Sequence, residues 1–189
     1  NLPVKRAVTS LAEDATTDDD EMTEIRLPVD KTTRERGIAY HAFLQHADSF
    51  YEDAGVLLEK IKTGKKLTDE QLALLSEEKL RKILRAPLFE EIRGYKFYKE
   101  QPFIAQMAAN EISNTNATGD VLVQGIIDLL AVKGDKAIIV DYKYSKKSIS
   151  HLKETYAYQL ALYKKAVEKT LKLKVEKTIL FNLNTVESI

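Results

Sequence analysis

Two aspartates and a lysine are so placed in this sequence that their charges demand an explanation. Lys133-Gly134-Asp135-Lys136 separates two runs of β-forming residues, and a two-residue Gly-Asp loop is a type II′ hairpin signal. With Lys133 and Lys136 flanking the turn, the register sets Asp128 opposite Asp141 five rungs on. Opposed residues on one sheet face have Cβ atoms about 4.5–5.5 Å apart, and like charges there are destabilising. Two carboxylates facing each other among Ile126, Leu130 and Ile139 call for a shared proton, a cationic neighbour or a divalent metal. Lys143 lies two residues beyond Asp141 and projects from the same face, so an ion pair between Asp128 and Lys143 would also satisfy the cluster. A register slip of one residue would put the two acids on opposite faces.

The next helical segment adds Gln159 and Tyr163, four residues apart and on one helix face. Tyr156, Leu160, Tyr163 and Val167 read as a packing stripe, but a glutamine buried beside a tyrosine needs hydrogen-bond partners, which a phosphate or a metal-bound water could supply. Near the start, Gly37-Ile38-Ala39-Tyr40-His41 sets a histidine beside a glycine and small residues, whereas His46 and His151 read as ordinary core or surface groups.

These residues need elements to position them. Apolar residues from Thr33 to about Lys62 recur at helical spacing, which predicts one or two helices. Thr68 with Gln71 forms a capping-box start for a helix that runs to Pro87. β-forming residues predict strands over 95–109 (one bent strand or two), 119–132 and 136–143, then a helix over 151–171 and a last strand over 176–183. Seven acids and no base lie between Glu13 and Glu24, so residues 1–30 read as an acidic flexible arm or linker and 31–189 as the domain proper.

Composition narrows the chemistry. The 189 residues suit one soluble domain, and no apolar run is long enough to span a bilayer. No cysteine is present, which excludes disulfides, thiolate zinc sites and cysteine nucleophiles, so any metal sits on oxygen or imidazole ligands. With 29 Lys+Arg against 29 Asp+Glu the net charge is zero, which by itself argues against a phosphate-rich partner. That neutrality is an average: from Asp141 to Lys177 ten lysines stand against four acids, beside the candidate site. The non-Met start and the lack of a cationic-then-apolar leader lead us to expect a domain excised from a longer chain, with no secretory signal.

In order, Gly37-x-x-x-His41, Gly125-Ile126-Ile127-Asp128, Asp141-Tyr142-Lys143 and Gln159-x-x-x-Tyr163 resemble the motifs of the RecB-type nuclease family of the PD-(D/E)XK superfamily. The resemblance extends in particular to the carboxy-terminal nuclease domain of AddA-type helicase–nucleases and covers about residues 33 to 183. It implies an α/β fold with a restriction-endonuclease-like core, a mixed central sheet flanked by helices, and an N-terminal helical region. It also implies a Mg2+ or Mn2+ site held by His41, Asp128, Asp141 and the main-chain carbonyl of Tyr142, with Lys143 orienting or deprotonating the attacking water. Gln159 and Tyr163 would line the site toward the DNA. Glu100 resembles the glutamate that precedes the first core strand in many members.

The implied activity is metal-dependent hydrolysis of DNA, single-stranded and delivered by a helicase motor, in double-strand break repair and recombination. A bacterial cytoplasmic location and an AddB-like partner protein follow from the same likeness. Relatives with an iron–sulfur cluster carry four cysteines around this domain, so the cysteine-free sequence resembles the cluster-free branch. A stand-alone nuclease of phage, restriction or transposon type, or a catalytically silent DNA-binding module, are the alternative readings.

Overall fold

The computed structural model describes residues 4–7, 31–112 and 119–189. The elements run β1 (Val4–Ala7), α1 (Lys31–His46), α2 (Ala54–Thr63), α3 (Asp69–Ala73), α4 (Glu77–Leu84), α5 (Pro87–Glu91), β2 (Lys96–Ala108), α6 (Ala109–Ile112), β3 (Asp120–Lys133), β4 (Lys136–Lys143), α7 (Ile149–Leu171), β5 (Lys174–Asn182) and β6 (Glu187–Ser188). The class is α/β, with a mixed six-stranded sheet of order β1-β3-β4-β5-β6 and β2 paired to β3. By contacts the chain divides into two compact units: β1, Lys96–Asp141 and His151–Ile179 belong to one, and Ile25–Tyr95, Tyr142–Ser150 and Leu180–Ile189 to the other.

The first unit is organised by β3, which pairs with β1 in parallel and with β2 and β4 antiparallel. The β3–β4 turn follows the sequence reading: Lys133 pairs with Lys136, and Gly134 alone of the two loop residues has positive φ (+64), as a type II′ turn requires. Phe103, Ala105 and Met107 from β2 and Val123 and Ile127 from β3 pack against Leu162, Tyr163, Ala166 and Val167 of α7. Those four helix positions recur at the spacing that gives a helix one apolar face. Each such fully buried Leu or Ile contributes about 1.5–3 kcal/mol relative to exposure.

In the second unit, Phe50, Phe89 and Phe181 form an aromatic core, with Phe50 and Phe89 centroids 4.6 Å apart. The capping box forms as expected, Thr68 Oγ1 accepting from the Gln71 amide and Gln71 Oε1 from the Thr68 amide. The helix it starts does not reach Pro87, however. It ends at Ala73, and Ser76 caps a separate α4 by accepting from the Lys79 amide, while the Ser76 amide donates to the Tyr40 hydroxyl. Side-chain capping at Ser76 thus competes with continuation of the helix, as serine does outside helix interiors.

Of residues 1–30, read as an acidic arm, Val4–Ala7 form β1, and the acidic run from 13 to 24 lies outside the described residues. Among the described residues no helix is long and apolar enough to cross a membrane.

Candidate functional site

The first unit sets three carboxylates in a row across three strands. β2 and β3 pair as Lys99 with Leu129 and Gln101 with Ile127, so Glu100 and Asp128 fall on the rung between, which the ladder skips. β3 and β4 pair as far as Leu129 with Val140, one rung short of Asp128 and Asp141. The hairpin register is therefore the expected one, and regular pairing gives way where the acids meet.

Glu100 has φ +47, a left-handed backbone that a non-glycine residue rarely adopts and that costs on the order of 1–3 kcal/mol. The burial pattern of β3 slips at the same place. Ile127 and Leu130 both belong to the core cluster beside α7, an odd spacing that strict alternation forbids. Local distortion of this kind re-aims side chains, as bulges do beside active sites.

Carboxylate oxygens of Glu100 and Asp128 lie within 4.8 Å of each other. Burial first, and then the Asp128 charge, pushes the Glu100 carboxyl up to about 7. Asp141 is 2% exposed, and its Oδ1 accepts a hydrogen bond of 3.0 Å from Gln159 Nε2. The same amide nitrogen donates to the Tyr163 hydroxyl at 2.9 Å, so one glutamine holds both groups with its two N–H bonds. Burial, followed by the charges of Asp141 and Asp128, raises the Tyr163 pKa and keeps the phenol protonated.

Gly125 makes room for this arrangement. A Cβ there would lie 2.8 Å from Phe103 Cε1 and 3.3 Å from Tyr163 Cε1, and those two rings meet edge to face with centroids 5.6 Å apart. An alanine would drive into a rigid ring, which is the physical reason for a glycine three residues before Asp128.

His41, Tyr142 and Lys143 belong to the second unit. His41 is half-buried on α1 and meets the Tyr142 ring edge-on, centroids 5.7 Å apart and planes at 80°. The Tyr142 ring is buried and also packs against Phe181. Lys143 ends β4 half-buried, and its carbonyl accepts from the Leu183 amide at 2.7 Å. A Cβ on Gly37 would stand 3.3 Å from Tyr144 Cβ, and Tyr144 stacks on Tyr40 with centroids 5.3 Å apart. The glycine of the first motif thus fits α1 against the residue that follows Lys143.

Glu100 lies inside β2 rather than ahead of the first core strand. Sequence reading passed over Asn182, which is fully buried and holds the loop after Lys143 through Ser145 and Lys147. An asparagine inside the apolar run Ile179-Leu180-Phe181-Asn182-Leu183 was the signal to follow.

Chemically, three oxygen-donor acids drawn together, one of them holding its proton up to about pH 7 through burial and its neighbour's charge, fit a hard divalent cation such as Mg2+ or Mn2+. A proton and a cation answer the same repulsion.

Comparison with known proteins gives a consistent picture. The profile of the PD-(D/E)XK nuclease superfamily matches residues 18–187. An AddA-type ATP-dependent helicase/nuclease from Heliobacterium modesticaldum is 34% identical over 168 residues, covering 81% of this chain and 12% of that protein. Its namesake from Carboxydothermus hydrogenoformans is 34% identical over 200 residues, 97% of this chain and 17% of that protein. One from Clostridium acetobutylicum is 29% identical over 170 residues, 82% of this chain and 14% of that protein. The chain therefore spans less than a fifth of the length of these relatives.

Proposed function

Because the chain belongs to the PD-(D/E)XK nuclease superfamily, we propose that it hydrolyses DNA phosphodiester bonds with a divalent cation, as the nuclease domain of a longer ATP-dependent helicase/nuclease. The observation that carries this reading is the row Glu100, Asp128, Asp141, in which two sheet ladders give way where the carboxylates converge.

Asp128 and Asp141 are the acids that would hold Mg2+ or Mn2+, with Glu100, the His41 imidazole and the Tyr142 main-chain carbonyl completing the donor set. A bound divalent ion supplies charge relief at the phosphate and lowers the pKa of a water molecule. Gln159 fixes the Asp141 carboxylate through Oδ1 and so orients it. Lys143, a mobile ammonium, orients the attacking water and offsets phosphate charge. Tyr163 keeps its proton at neutral pH and can donate it to a phosphate oxygen.

On this reading the substrate is a single strand fed by the motor of the longer protein, the partner is an AddB-like protein, and the setting is break repair in the bacterial cytoplasm. The test incubates the purified chain with end-labelled single-stranded DNA and Mg2+ or Mn2+, beside an Asp141→Ala variant and an EDTA control. Cleavage that needs metal and disappears with Asp141 supports the assignment. Cleavage that survives either treatment overturns it, and metal-independent DNA binding without cleavage would point to a silent binding module.

A further inference from the structure

Next to Lys143 in sequence, the loop Tyr144-Ser145-Lys146-Lys147-Ser148 is held by an unusual density of bonds from one asparagine. Asn182 Oδ1 accepts from the amides of Ser145 (3.2 Å) and Asn184 (3.0 Å), and its Nδ2 donates to the carbonyls of Ser145 (3.1 Å) and Lys147 (3.3 Å). Asn184 Nδ2 donates to the Ser145 carbonyl as well, and Ser145 Oγ accepts from the Lys147 amide. Burying an asparagine completely is costly unless its polar atoms are satisfied, and here both ends of the amide are satisfied by this loop and its neighbour. The side chains that the pinned loop carries outward are Lys146 and Lys147, both exposed.

A further cation is tied to the same asparagines. Lys79 Nζ donates to the Asn184 carbonyl (2.7 Å) and Oδ1 (2.9 Å), and lies 5.1 Å from the Tyr144 ring centroid and 6.0 Å from that of Tyr40. Those hydrogen bonds go to neutral groups rather than to acids. Burial lowers its pKa, and so do its charged neighbours Arg36 and Lys82, which are cations. Lys82 is paired with Glu78 at 2.7 Å, while Arg36 is exposed on α1, one residue before Gly37. One bonded frame therefore gathers Arg36, Lys79, Lys146 and Lys147. Such a concentration of like charge is unfavourable by itself and favours a polyanion as its partner.

We propose that Arg36, Lys79, Lys146 and Lys147 form a preorganised ledge that binds the phosphates of the DNA strand flanking the one cut at the site. The inference rests on the nuclease reading above and adds to it a surface in the second unit that tracks the backbone without reading bases. Phosphate contacts of this kind hold position and register rather than sequence. The loop follows Lys143 directly, so a strand that delivers a phosphate to Lys143 passes these residues. Asn182 contributes rigidity: the lysines meet the strand with their loop already ordered, which reduces the entropy lost on binding.

Binding of a fluorescent oligothymidylate to the purified chain, followed by anisotropy in EDTA across a salt series, tests the ledge separately from catalysis. The triple variant Arg36→Gln, Lys146→Gln, Lys147→Gln is expected to bind less tightly and to lose about 0.7 of log–log salt slope per contact, hence about two in total. Asn182→Ala keeps the charges, so it is expected to weaken binding while the slope stays near that of the wild type. The proposal is overturned if the triple variant keeps the wild-type affinity and slope, if the wild type binds no oligonucleotide at low salt, or if an acidic peptide of equal charge binds more tightly. Should Asn182→Ala fail to fold, the surface triple variant still decides. Failure of the nuclease reading has a different signature, namely oligonucleotide binding with no metal-dependent cleavage.

Discussion

From Leu129 to Lys136 the β3–β4 hairpin pairs residue for residue, with Leu129, Leu130, Ala131, Ile138, Ile139 and Val140 nearly or wholly excluded from solvent. One rung further, the same two strands bring Asp128 and Asp141 together, and β2 adds Glu100 on a left-handed backbone. The first stretch gains stability from apolar burial, while the second gives up regular pairing and tolerates repulsion between acids. The contrast teaches that the hairpin is the support and the acid row the place where its stability is spent, a division expected when local rules fail at functional sites.

The largest effect should fall on the acid row. Asp141→Ala is expected to reduce metal-dependent cleavage by roughly a thousandfold, the scale of several kcal/mol of transition-state charge stabilisation. Its thermal stability should hold or rise, since one of the mutually repelling acids is gone; calorimetry beside an activity assay separates the two. A fall of Tm comparable to that of a core mutant would break the comparison.

On the hairpin side, Ile139→Ala removes a side chain that is 0% exposed and should cost about 2–5 kcal/mol. At roughly 2–4 °C per kcal/mol for a chain of this length, the loss is readily seen by thermal denaturation. Cleavage per folded molecule at low temperature should change little.

Gln159→Leu tests the tie between the row and α7. Loss of the bonds to Asp141 and Tyr163 should weaken apparent metal affinity and activity by about 10–100-fold, the range for groups that orient a metal ligand. A metal titration of the cleavage rate measures it.

The smallest effect is on pH dependence. The Glu100 carboxyl titrates near 7 in the folded chain against 4.5 for the free group, so the folded state holds the extra proton between those values. Metal-free stability should therefore fall as pH rises from about 4.5 to about 7. Glu100→Gln should flatten that fall, by a few degrees of Tm at most once solvent screening is allowed for. Added Mg2+ or Mn2+ should flatten it in the wild type too, and a slope unmoved by either would contradict the repulsion between Glu100 and Asp128.

Much of the hairpin was legible because its signals are local. Gly134-Asp135 specifies the turn, and once the turn is fixed the register of Asp128 with Asp141 follows by counting. Gln159 and Tyr163 were legible as neighbours on one helix face, though not that a single amide would bridge Tyr163 to Asp141. Glu100 was harder: a kink inside a long strand depends on the opposing Asp128, and nothing in Lys99-Glu100-Gln101 marks a left-handed residue. The break between α3 and α4 was missed because the capping box at Thr68 outweighed the second cap at Ser76, which the Tyr40 hydroxyl supports from 36 residues away. Asn182 was passed over because its value lies in a loop 37 residues earlier.

The fit of Gly37 against Tyr144 bears on how this chain can change by mutation. Because an added methyl at position 37 meets the Tyr144 Cβ at 3.3 Å, the neighbour must yield by a few tenths of an ångström, and Tyr144 is already stacked on Tyr40. A smaller residue at 144 would relieve the pressure, but it would also remove the ring beside Lys79. Positions 37, 40, 79 and 144 are thus epistatic. A substitution harmful alone becomes tolerable with its partner, and sequence drift should move through these four sites together or leave them all in place.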